Sequence, residues 1–119
     1  MAEIIATSKP LYVGDALVLG QVVTTAATET IPVTAKVSST TLTTDGTIYL
    51  PDPSILEPGH TIWIKKMDVA GVWNLTVDAN TNGGTFDDGG NTYIVSGANG
   101  GIHLVLASGG SVWLRLGDF

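Results

Sequence analysis

The sequence predicts an all-β fold, a compact antiparallel β-sandwich or barrel with an extended N-terminal segment, on three observations. Helical periodicity is nearly absent from the 119 residues. Apolar and polar residues instead alternate with period two in short runs rich in Val, Ile and Thr. Clusters of Gly, Asn and Asp interrupt those runs about every eight to twelve residues, the spacing of turns in sandwiches and barrels. A chain of this length makes one domain, 1–119, able to bury roughly two-thirds of its unfolded surface.

In chain order, residues 11–13 and 16–24 are predicted strands joined at Gly14-Asp15. The longest apolar run, 16–20 extended to Val23, is broken by Gly20 and Gln21 and is far short of the roughly 20 apolar residues that span a bilayer. It reads as a core strand. Over residues 31–38, Ile31, Val33, Ala35 and Val37 alternate with Pro32, Thr34, Lys36 and Ser38, predicting one buried and one wet face. Pro32 lacks the amide proton of a central ladder, which places it at an edge or at the strand's start. Residues 39–44 are nearly all Ser and Thr, and Asp45-Gly46 is a strong two-residue turn signal. A boundary between N-terminal strands (11–40) and a second part (41–119) is expected here.

Residues 47–50 are a predicted strand stopped by Pro51-Asp52-Pro53, because each proline removes a donor and biases its predecessor toward extended geometry. Residues 54–57 make one helical turn before Pro58-Gly59. Five more strands follow at 61–66, 72–78, 92–96, 101–107 and 111–116. Their predicted core faces are Ile62 and Ile64; Trp73, Leu75 and Val77; Ile102, Leu104 and Leu106; and Val112, Leu114 and Leu116.

Charged residues make up only 13% of the chain, about half the usual share, so the surface is largely neutral and much of it is expected to face other protein. The net charge is −6, and the bases Lys9, Lys36, Lys65, Lys66 and Arg115 are scattered. Nucleic acid is not an expected partner, since phosphate binding needs a clustered positive footprint. No membrane partner is expected either. The chain has no cysteine, which excludes disulfides, thiolate metal sites and cysteine nucleophiles. Asn74-Leu75-Thr76 fits a glycosylation sequon, but the first residues lack the basic-then-apolar pattern of a secretory signal, and chance is the preferred reading.

Few residues suggest chemistry, and no catalytic residue or cofactor is expected. His60 and His103 are the only imidazoles, neither in a recognisable motif, and both read as structural. Asp87-Asp88 are neighbours in a Gly-rich loop rather than facing carboxylates. Asp78, Asn80 and Asn82, followed by Gly83, open like a calcium loop, and Asp87 offers a further oxygen ligand. The twelfth position is Gly89 instead of a bidentate Glu, so a metal-free turn held by its own Asx side chains is the competing reading. Gly83-Gly84 and Gly89-Gly90 are followed by neither a Lys-Ser/Thr pair nor a helix, as a phosphate loop requires.

Tyr49, Trp63 and Trp113 stand opposite the predicted core faces. Exposed aromatic patches mark binding surfaces, so these three are candidate contacts with another subunit or a protein partner, with burial under the chain's own first forty residues as the alternative. Residues 2–10, with Glu3, Ile4, Ile5 and Lys9, read as an extended arm ordered on binding, or as a frayed terminus.

Residues 42–116 carry a recognisable pattern: T-D-G-T-I-Y-L-P-D-P-S, then I-W-I-K-K, then L-T-V-D before a Gly-rich loop, then I-H-L-V-L-A-S-G-G-S-V-W-L. It resembles the β-rich module of bacteriophage virion proteins, found in capsid cement (head decoration) proteins and in tail fibres and appendages. Phe86 stands where the module usually has Ile, Gly109 replaces its usual Asp, and the Gly-rich loops are longer. The resemblance implies a non-enzymatic virion protein, usually a homotrimer, with itself and the major capsid protein as partners on the capsid exterior. Fibre subunits normally carry the module within a much longer chain, so the short, acidic, cysteine-free sequence points to cement, with a tail fibre, appendage or receptor-binding module as the alternative.

Overall fold

The computed structural model describes residues 21–119. The predicted strand at 11–13, the first part of that at 16–24, and Glu3, Ile4, Ile5 and Lys9 lie outside the described residues.

The strands are β1 (Gln21–Thr24), β2 (Ala35–Thr41), β3 (Gly46–Tyr49), β4 (Thr61–Met67), β5 (Leu75–Asp78), β6 (Thr85–Phe86), β7 (Thr92–Val95), β8 (Gly101–Leu106) and β9 (Val112–Asp118). Six form one sheet in the order β1-β2-β4-β8-β9-β6, and three form another in the order β3-β5-β7. The all-β class stands. The expected antiparallel pairing does not: β1–β2, β2–β4, β3–β5 and β6–β9 are parallel, and only β4–β8, β8–β9 and β5–β7 are antiparallel.

The parallel pairs arise because the chain winds between the sheets. β2 and β4 lie in the larger sheet while β3 and β5, which follow them, lie in the smaller, so successive windings stack in the same direction. β1 followed by Thr30, bridged in parallel to Tyr49, adds a partial winding on top. Alternation within single strands cannot reveal this, since parallel and antiparallel strands share the same period of two.

Residues 31–38 do not form the predicted strand. The Ala35 N–H donates to Pro32 O at 3.0 Å, closing a turn that leaves Val33 exposed. The strand starts at Ala35 and runs into the Ser/Thr stretch expected to be a boundary. Ala35 is buried as alternation predicts, but the strand's other buried positions are Ser38 and Thr40, with Val37 turned outward. Ser38 satisfies its hydroxyl against Thr25 Oγ1 at 2.8 Å, which makes a polar residue tolerable inside.

The core lies between the sheets and includes Ile31, Ile48, Leu50, Ile62, Ile64, Leu75, Val77, Ile102, Leu104 and Leu106. β9 packs in the opposite phase to that expected: Trp113 is fully buried, whereas Leu116 is 59% exposed. Both phases of V-W-L-R-L are apolar enough to fill a core. The indole wins because Gly84 leaves room for it; a Cβ there would lie 3.1 Å from Trp113 Nε1.

One end of β4 carries a buried ion pair. Lys66, wholly inside, donates to Trp73 O at 2.6 Å and lies 3.7 Å from Asp68 Oδ2. Asp68 also accepts the N–H groups of Trp73 at 2.7 Å and Gly71 at 3.2 Å. A buried carboxylate so supplied with donors holds the β4–β5 corner.

Candidate functional site

The outward face of the six-stranded sheet carries the most distinctive side-chain cluster. β4 sends Ile62, Ile64 and Lys66 inward, so Trp63, Lys65 and Met67 face out. Cross-strand register then sets a row across five strands: Val22 opposite Val37, Val37 opposite Trp63, Trp63 opposite His103, and His103 opposite Gly117. Trp63 is 40% exposed. Its indole lies flat on His103, with ring centroids 3.8 Å apart and planes within 4°.

Phe119 closes one side of the cluster. Its ring centroid lies 5.7 Å from that of Trp63, and Lys65 Nζ stands 5.3 Å from the same Phe119 ring while donating to Asn99 O. Gly117 adds no side chain, and nothing stands where its Cβ would be. An open cleft of about 410 Å³ remains, lined by Trp63, His103, Leu116, Gly117, Asp118 and Phe119. That volume falls in the range of small binding pockets.

A polar rim adjoins it. The Tyr93 hydroxyl donates to Asp118 Oδ2 at 3.2 Å, and Arg115 Nε donates to Asp87 Oδ1 at 2.8 Å. The Arg115 guanidinium also lies 5.7 Å from the Tyr93 ring centroid. Burial and the adjacent Asp118 carboxylate push the Tyr93 phenol up, and the Arg115 hydrogen bond holds the Asp87 carboxyl below the usual range. The rim thus combines an Arg115–Asp87 ion pair with a Tyr93–Asp118 hydrogen bond, and the cleft is an apolar, ring-lined recess suited to a planar or aliphatic group of a partner.

The three aromatics expected to share a face do not. Trp63 is exposed as predicted, Trp113 is interior, and Tyr49 is half-buried in the other sheet, bridged to Thr30. His103, Phe119, Leu116 and Val37 belong to the face and were not singled out for it. The alternation of β8 already turns His103 away from Ile102 and Leu104, but the pairing of His103 with Trp63 is a long-range register that no single strand encodes.

Three of the four calcium candidates, Asp78, Asn82 and Asp87, are each engaged in hydrogen bonds of their own. Asp78 accepts the N–H groups of Asn80 and Thr81 at 2.8 and 2.9 Å, and the Thr81 hydroxyl at 3.0 Å. Asn82 donates through Nδ2 to Leu50 O at 2.8 Å, and Asp87 is engaged by Arg115. The loop carries the Asx-stabilised turn that was the competing reading. Among the described residues, no group of three or more His, Asp or Glu side chains is placed to hold a metal.

His60 is separate from the face, edge-on to Trp113 with ring centroids 6.3 Å apart. No protein-family model matches this sequence, and no curated protein matches it.

Proposed function

We propose that the protein is a non-enzymatic structural component of a bacteriophage particle, docking as an oligomer on the outer surface of the assembled capsid through the Trp63 face. The observation that carries the reading is the row Val22, Val37, Trp63, His103 and Gly117, flanked by Leu116 and Phe119, on the outward side of a sheet whose other side is the core. A half-exposed tryptophan beside a shallow recess with a paired polar rim is the composition of a protein-protein contact centre. The scarcity of charge and the resemblance of residues 42–116 to phage virion modules support the same reading.

In the proposed arrangement, three copies gather about a local threefold axis and bridge neighbouring major capsid proteins. A protein that binds only the assembled lattice adds its binding free energy to that lattice, and several linked contacts multiply the effect. A tail-appendage role is the second reading. It is favoured by the cleft itself, where an exposed indole stands near the Asp118 carboxylate, a pairing that also suits a receptor's polar ring.

Rebinding to particles stripped of the protein tests the first reading. Wild type is expected to saturate the heads, with Trp63→Ala weakening binding by about thirtyfold, the loss of a hot-spot side chain worth about 2 kcal/mol. Equal occupancy by both proteins, or antibody label confined to the tail, would overturn it.

A further inference from the structure

The row across the outward face ends at Gly117, which contributes no side chain. Trp63 stands opposite His103 and His103 opposite Gly117, and the first two rings stack 3.8 Å apart. The next place in the row lies above Gly117, and nothing stands within 4 Å of where its Cβ would be. β6 pairs with β9 only at Val112 and Trp113, so no described strand flanks Gly117 on its outer side. The cleft of about 410 Å³ is therefore a slot beside the His103 ring, open along the β9 edge and lined also by Leu116 and Phe119.

Asp118 is the one charged side chain among the residues that line this slot, and it lines the neighbouring cleft of about 250 Å³ as well. Its Oδ2 accepts the Tyr93 hydroxyl, and its Oδ1 has no hydrogen-bond partner among the described residues. Lys65, over the Phe119 ring, donates to Asn99 O and is not part of the lining. Arg115 is paired with Asp87 and Asp88. A group that fills the slot must be flat, to continue the stack, and cationic, to meet Asp118. A guanidinium is both, whereas a lysine ammonium is a point charge that cannot stack and a neutral ring leaves the carboxylate unanswered. The aliphatic stem of an arginine also suits Leu116 and Phe119.

The protein already builds this combination once: Arg115 bonds Asp87 at 2.8 Å while its guanidinium lies 5.7 Å from the Tyr93 ring centroid. Arg115 is the only arginine in the chain, and it is engaged there, so the occupant of the slot comes from a different protein and not from a second copy.

We propose that the slot above Gly117 takes an arginine side chain of a partner protein, its guanidinium continuing the Trp63–His103 stack and hydrogen-bonded to Asp118. This rests on reading the Trp63 face as a protein contact, and not on which protein it meets.

Titration of the full chain at low ionic strength with acetyl-arginine amide, acetyl-citrulline amide and acetyl-lysine amide, followed by NMR at the His103 and Trp63 ring protons, tests it. Citrulline keeps the flat group without the charge, and lysine keeps the charge without the flat group. Each is expected to bind about tenfold more weakly than arginine, the equivalent of one charge-assisted hydrogen bond or one cation–π contact. Asp118→Asn is expected to abolish the preference for arginine over citrulline. Gly117→Val, whose added Cβ meets no neighbour, is expected to block all three probes while the urea midpoint stays at or above that of the wild type. Equal binding of the three probes, no shift at His103 up to their solubility, or arginine binding that survives Gly117→Val would overturn the proposal. Loss of head binding in Trp63→Ala without arginine recognition would sink the occupant alone; arginine recognition without head binding would sink the capsid reading alone.

Discussion

Gly101 and Phe119 exchange both backbone hydrogen bonds, at 2.9 and 3.0 Å, and the Phe119 ring occupies the space that a side chain at 101 would need. A Cβ on Gly101 would lie 2.4 Å from the ring and 2.4 Å from Ile64 O. The missing side chain thus does two things: it lets β4 and β8 approach, and it seats the ring beside Trp63.

Gly101→Ala is therefore expected to destabilise the fold by about 1–3 kcal/mol, the range of overpacking in a close-packed site. Phe119→Ala in the same chain should recover little, because the Ile64 carbonyl belongs to the β4 backbone and cannot swing aside. Urea unfolding of the two single variants and the double variant measures this. Full rescue by Phe119→Ala would show that the ring, not the strand, sets the limit.

The two tryptophans of opposite exposure should separate stability from binding. Trp113→Ala removes a fully buried indole and is expected to cost about 3–5 kcal/mol. Trp63→Ala loses mainly its stack with His103, worth about 0.5–1.5 kcal/mol. Chemical denaturation of both variants checks the difference; equal losses would mean that Trp63 supports the core as Trp113 does.

How much of this was legible in the sequence differs by residue. Ile62, Ile64, Leu75, Val77, Ile102, Leu104 and Leu106 are buried as alternation predicts, because each stands in the more aliphatic phase of its strand, opposite residues such as Lys65, Thr76 and His103. β9 is apolar in both phases, and there the contact with Gly84, 29 residues earlier, decided which one turned inward. The strand at residues 31–38 misled because Pro32 accepts the Ala35 N–H in a turn, while Ser38 gains a partner in Thr25 that the local pattern could not show. The Trp63 side of the site was visible as an outward aromatic; His103, Gly117 and Phe119 joined it only through cross-strand register.

The buried pair on β4 gives an asymmetric prediction. Asp68 accepts two backbone N–H groups besides its contact with Lys66, so Asp68→Ala strands those donors and leaves the wholly buried Lys66 ammonium without a counter-ion. The expected loss is about 3–5 kcal/mol. Lys66→Met keeps the volume and leaves the Asp68 carboxylate its backbone donors, so its cost should be smaller. Thermal or urea unfolding compares them, and a larger loss for Lys66→Met would reverse the assignment of Asp68 as the organising group.

His60 makes stability pH-dependent in a definite direction. Burial, followed by the nearby positive charge of Lys36, holds its imidazole below the ordinary 6.5. Its Nε2 is buried with no hydrogen-bond partner among the described residues. The unfolded chain therefore binds the proton more readily than the folded one. Above pH 6.5 both states are neutral and the full stability is present; as pH falls from there through the depressed folded-state value, stability is lost, and the loss levels off once both states are protonated. Asp87, held low by Arg115, keeps its own contribution until still more acidic pH, below the ordinary carboxyl value of 3.8. The melting temperature should thus decline between pH 7.5 and about 5 in the wild type, and decline less in His60→Gln, which cannot take up the proton. Parallel pH profiles for the two proteins would locate the titrating group elsewhere.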